Sequence, residues 1–146
     1  MNLILELATA TALVAATCTL HLLGIGGLMV LLNRRRHSDR ADLVRQAVAI
    51  GVAAAALFLL HSAEIWLYAP FYLLVDALPT AEACLYFSTA SYTTVGYGDV
   101  VLGADWRVLG AIESANGIIL LGWSTAFFVA IVGRIRWLET EMKAGR

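Results

Sequence analysis

The sequence predicts an all-α protein that crosses a membrane more than once, and three observations carry that prediction. Hydrophobic residues fill 60% of the 146 positions and charged residues only 14%, where a soluble domain has about 25% charged residues. Mean hydropathy is +0.78. Three apolar stretches, Leu3 to Leu32, Ala47 to Tyr68 and Val108 to Val132, each reach the roughly 20 residues that a membrane helix needs. A net charge of −1 gives no electrostatic basis for binding nucleic acid. Cys18 and Cys84 lack metal-ligand spacing and read as apolar packing thiols. No constellation for covalent or acid–base catalysis stands out, and the expected class is not an enzyme.

The first element, residues 1–33, has no Lys or Arg. A cleaved signal peptide begins with a basic region and has a shorter apolar core, so this segment is expected to be a permanent span. Residues 34–46 form a basic loop with Arg34, Arg35, Arg36, Arg40 and Arg45. Residues 135–146 are expected to be a short tail, and Arg134, Arg136, Lys143 and Arg146 cluster at that end. By the positive-inside rule both basic regions are cytoplasmic, which puts the N-terminus outside and the C-terminus inside. Trp66, Tyr68 and Trp106 then fall at the outer interface and Trp137 at the inner one. The arginines at 34–36 either set this topology alone or also bind anionic lipid headgroups.

Between the second span (47–68) and the third (107–134) the chain must leave and return on the same side. Ala81–Tyr92 is apolar but short: twelve residues of helix reach about 18 Å, half a bilayer. Pro79 and Thr80 provide its start, with Thr80 as N-cap and Glu82 favourably placed in the first turn. The chain then reads TTVGYGD, Thr93 to Asp99. Gly96 and Gly98 tolerate positive φ. A strand whose backbone alternates in hand at every second residue can turn successive carbonyls to one side, a ladder of oxygens suited to a hard cation. Non-helical backbone at membrane depth survives only where protein buries it or water lines it.

A span, a half-helix, TVGYG and a second span together resemble the potassium channel pore module over about Ala47–Arg134. The resemblance implies a homotetramer, one loop from each chain, conducting potassium passively across a cell membrane. It places a selectivity filter at Thr94, Val95, Gly96, Tyr97 and Gly98, with potassium held by the oxygens of Thr94, Val95, Gly96 and Tyr97; no cofactor is implied. In GIILLGWSTA it makes Gly117 a gating-hinge candidate, with close helix packing the alternative reading for Gly117 and also for Gly122. Ile118, Leu121, Thr125, Val129 and Gly133 share one helical face and would line the cavity and gate. Two-span relatives carry a glutamate at the position of Ala90 and a tryptophan at that of Tyr86, both bonded to the aspartate equivalent to Asp99. Tyr86 and Asp99 are therefore the expected filter brace here, with Glu113 helping from the inner helix. The first span is an addition to the module, lacks an arginine ladder for sensing voltage, and is expected to be removable.

Other polar residues leave alternatives open. Glu6, Glu64, Asp76, Glu82, Asp99, Asp105 and Glu113 fall on or near the outer side and either concentrate cations there or are ordinary solvated charges. His61, Glu64 and Glu113 lie inside spans, where ionisable groups default to functional readings: a structural network or a proton sensor. Two rivals to a potassium channel are an accessory subunit that assembles without conducting and a weakly selective cation pore.

Overall fold

The computed structural model describes residues 3–34 and 43–144, and among these all regular structure is helical. Helix α1 is Leu3–Arg34, α2 is Leu43–Leu74, α3 is Ala81–Tyr92 and α4 is Arg107–Ala144. Three of them (α1, α2 and α4) are long and apolar enough to cross a membrane. The short α3 packs against both α2 and α4. Of the basic loop, Arg34 ends α1, while Arg35 and Arg36 lie outside the described residues.

Three helix ends differ from the expected 47–68 and 107–134. Helix α2 starts four residues sooner and runs past Pro70 to Leu74, although proline removes an intrahelical hydrogen bond. Tertiary contacts hold that last turn. Tyr72 is fully buried, packs edge-on against Phe87 at 5.4 Å and donates its hydroxyl to Glu113 at 2.7 Å. The helix closes with Asp76 in the left-handed region (φ 51) and the Ala77 N–H bonded to the Tyr72 carbonyl at 2.9 Å, a Schellman ending. At the other end, α4 continues through the expected tail to Ala144. The run WLETEMKA is built of good helix formers with no glycine or proline to stop it.

Helix α3 begins at the predicted Thr80, whose hydroxyl accepts from the Ala83 N–H at 3.1 Å. It lies across a core of Ala10, Tyr68, Tyr72, Cys84, Phe87 and Leu109, drawn from all four helices. Farther along, Leu28 of α1 packs with Ala53 and Leu57 of α2, against Phe127 and Phe128 of α4.

Helix α1 is part of this core and not an appendage. Glu6 is buried, so it does not serve the outer mouth as a solvated acid. Its Oε1 accepts the N–H groups of Val108 and Leu109 at 2.8 and 3.0 Å. Those donors belong to the first turn of α4 and have no intrahelical partner, and a carboxylate there also meets the positive end of the helix dipole. Lower on the same helix, Thr17 accepts from the Asn116 amide at 2.8 Å, and Asn116 also donates to the Tyr68 hydroxyl at 3.2 Å. The packing therefore changes the expectation that the first span is removable. Glu6→Ala should destabilise the protein by about 1 kcal/mol, the usual cost of a lost N-cap, and Glu6→Gln should recover most of it through its amide oxygen. Thermal unfolding of the three purified proteins measures the difference; equal midpoints would mean that α4 is capped another way.

Candidate functional site

The segment after α3 has the alternation expected of an oxygen ladder. Gly96 (φ 49) and Gly98 (φ 80) are left-handed, and so is Thr94 (φ 59). Every second residue from 94 to 98 thus has positive φ, with Val95 and Tyr97 between. A β-branched residue at positive φ is an outlier, and such strain persists where the surroundings hold it and concentrates at functional sites. The surroundings here are specific. The Thr94 N–H bonds to the Ser91 carbonyl at 2.9 Å, and the Gly96 N–H to the Ala90 carbonyl at 3.1 Å. The loop is hung from the C-terminal end of α3 by its own backbone. The Tyr97 side chain points away from the rest of the chain and is 76% exposed.

Tyr86 and Asp99 meet. The Tyr86 hydroxyl donates to Asp99 Oδ2 at 2.7 Å, and Asp99 Oδ1 accepts from the Val100 N–H at 3.1 Å. The Tyr86 hydrogen bond holds the Asp99 carboxyl below its ordinary pKa, because it stabilises the ionised form. The pair ties the middle of α3 to the residue immediately after Gly98.

Glu113 is fully buried and acts elsewhere than at Asp99. It accepts from the Ser88 hydroxyl at 2.5 Å and from the Tyr72 hydroxyl at 2.7 Å. Ser88 also lies 3.1 Å from the Ile65 carbonyl. One carboxylate thus joins α2, α3 and α4 behind the loop, so any support it lends the loop passes through α3.

The end of α3 is held a second time. Tyr92 is fully buried and donates its hydroxyl to Glu64 Oε2. Glu64 in turn lies against His61 of its own helix (2.9 Å) and His21 of α1 (2.8 Å), and His61 Nε2 is 2.9 Å from the Ser124 hydroxyl of α4. On its other side the backbone of Tyr92 presses against Gly117. A Cβ at 117 would overlap the Tyr92 carbonyl oxygen and stand 2.8 Å from its carbon, so this close approach requires glycine. Gly122 has open space where its Cβ would stand, so no contact among the described residues explains it.

Of the residues expected on one face of α4, Ile118, Thr125, Val129 and Gly133 are exposed. Leu121 is not. It turns partly inward against Ile65, Tyr92 and Leu120, because the helix must also cover α3 and α2. The exposed face leaves Ile118 and Val129 uncovered by the chain itself, on the same molecule as the outward-pointing Tyr97.

Sequence reasoning missed His21, Tyr72, Ser88, Tyr92 and Ser124 as partners. His21 alone carried a readable signal, an ionisable residue within an apolar span; the others are ordinary residues whose role depends on the packing.

Comparison with curated proteins and with solved structures finds no match to this chain. Comparison with family models matches residues 48–134 to the ion channel family, from the start of α2 through α3 and the glycine loop into α4. That match covers more than half of the chain, and with its three apolar helices the protein is a multi-pass membrane protein that belongs to the ion channel family.

Proposed function

We propose that four copies of this chain form a potassium-selective channel in the cell membrane, with α3 re-entering from the outer side and Thr94–Gly98 as the filter. The observation that carries the reading is positive φ at 94, 96 and 98 within TVGYG. That alternation would turn the oxygens of Thr94, Val95, Gly96 and Tyr97 toward a common axis, where they replace the hydration shell of a dehydrated cation. A single chain supplies one wall of such a path, and the exposed face with Ile118, Thr125, Val129 and Gly133 would line the cavity below it. The C-terminal end of α3 adds the negative end of its dipole, which favours a cation in that cavity. Gly117 serves first to admit the α3 backbone, and hinge motion of α4 would pivot about that contact. The N-terminus lies outside and the basic segments face the cytoplasm, where Arg34, Arg35 and Arg36 would meet anionic lipid.

The test is cation flux from proteoliposomes containing the purified protein alone. Potassium and rubidium should pass and sodium hardly at all. Equal sodium and potassium fluxes would favour a non-selective pore, and no flux from a well-formed tetramer would favour an accessory subunit.

The brace at Asp99 has its own expected outcome. Tyr86→Phe removes the hydroxyl donor while keeping the ring, so filter selectivity should persist while current decay during sustained opening changes rate. Paired macroscopic recordings under identical conditions read this; indistinguishable decay would place the brace elsewhere.

A further inference from the structure

His21, His61 and Glu64 bring one ligand atom each within 4.8 Å of one another. We propose that these three side chains form an intramembrane binding site for a divalent transition-metal ion of the zinc class, shared between α1 and the pore module. The site is separate from the glycine loop and does not depend on the channel reading.

The donor set fits such an ion. Two imidazoles and one carboxylate are a nitrogen–oxygen set that zinc accepts, with the fourth position of a tetrahedron left over. His61 and Glu64 stand at i and i+3 on α2, a spacing by which helical bundles aim a histidine and a glutamate at one metal. His21 comes from the facing helix, with Nδ1 at 2.8 Å from Glu64 Oε1. The Tyr92 hydroxyl lies 2.9 Å from His61 Nδ1 and is the nearest candidate for the fourth position. Tetrahedral zinc holds its ligand atoms about 3.3 Å apart, given metal–ligand bonds near 2.0–2.1 Å. The present spacings bracket that value, so side-chain rotation suffices and no helix has to move.

The outer contacts fit as well. A histidine that ligates through one nitrogen donates the other to a partner that fixes its tautomer, and His61 Nε2 has the Ser124 hydroxyl at 2.9 Å. His21 Nε2 has no hydrogen-bond partner among the described residues. Among the described residues, the only polar engagement of this fully buried histidine is therefore with the proposed site. Placing two histidines and a glutamate inside apolar spans is costly. A cation at their centre would use all three, since each offers it one ligand atom.

The experiment uses the full chain, tag removed, stripped with chelator in detergent and titrated with Co²⁺ as a spectroscopic probe. One Co²⁺ per chain should bind with the visible bands of tetrahedral N/O coordination, and Zn²⁺ should displace it and abolish those bands. His21→Ala and Glu64→Gln should each weaken binding by about 100-fold. Ser124→Ala, which removes only the partner of a ligand, should weaken it about 10-fold. His37→Ala, which removes the remaining histidine, should change nothing. If His21→Ala fails to fold, the wild-type spectrum and Ser124→Ala still decide. A wild type that shows no tetrahedral bands overturns the proposal, and so does metal binding that persists in Glu64→Gln or disappears in His37→Ala. Because binding is read without flux, failure here leaves the channel reading untouched, and a non-conducting protein could still bind the metal.

Discussion

Gly96→Ala is expected to abolish potassium flux while leaving the fold and the assembly intact. At φ 49 the residue is left-handed, where a side chain costs roughly 1–2 kcal/mol. The added Cβ would have nothing within 4 Å among the described residues of its own chain, so within the subunit the cost is conformational rather than a clash. In a tetramer it is incurred four times around one axis, on a loop whose Thr94 is already strained. The relaxed alternative flips the peptide and takes carbonyl oxygens off the axis. Circular dichroism and native molecular mass should match the wild type, and flux should fall below detection. Flux within a few-fold of wild type would show that the ladder of oxygens is not the conduction path.

Gly117→Ala should have a different and equally large effect, on the fold itself. The new methyl would occupy the space of the Tyr92 carbonyl, and backbone cannot step aside as a side-chain tip does. Overpacking of this kind typically costs about 1–3 kcal/mol. Here it would push the end of α3 away from α4 and strain the Tyr92–Glu64 bond. The expected result is a lower thermal midpoint and poor assembly, together with lost flux. A variant that is fully stable but gates abnormally would instead assign Gly117 to hinge motion alone.

What the sequence made legible follows from distance along the chain. The start of α3 could be read because Thr80, Glu82 and the N–H groups they serve lie within four residues. Gly96 and Gly98 could be read because a glycine's freedom is local. Tyr86 and Asp99 lie thirteen residues apart, and only the resemblance to potassium channels paired them. Thr94 was unreadable as a left-handed residue because its own preference opposes that conformation. The end of α2 was misplaced because Pro70 is a local stop that Tyr72 overrides through Phe87 and Glu113. The partners of Glu64 and Glu113 required the packed bundle, since His21 is 43 residues from Glu64 and Ser88 is 25 from Glu113.

Glu6, Thr17 and His21 fall at three heights on one side of α1, spread over about 22 Å at 1.5 Å per residue. Each engages a different level of the remaining helices. The apolar stretch of α1 runs for 30 residues, about 45 Å, against a hydrocarbon layer about 30 Å thick. A free helix with that excess would tilt to suit each bilayer. Pinned at three heights, α1 can neither slide nor tilt without taking α2 and α4 along. The excess length of α1 is thereby coupled, at three separate levels, to α2 and α4, the helices that flank the glycine loop.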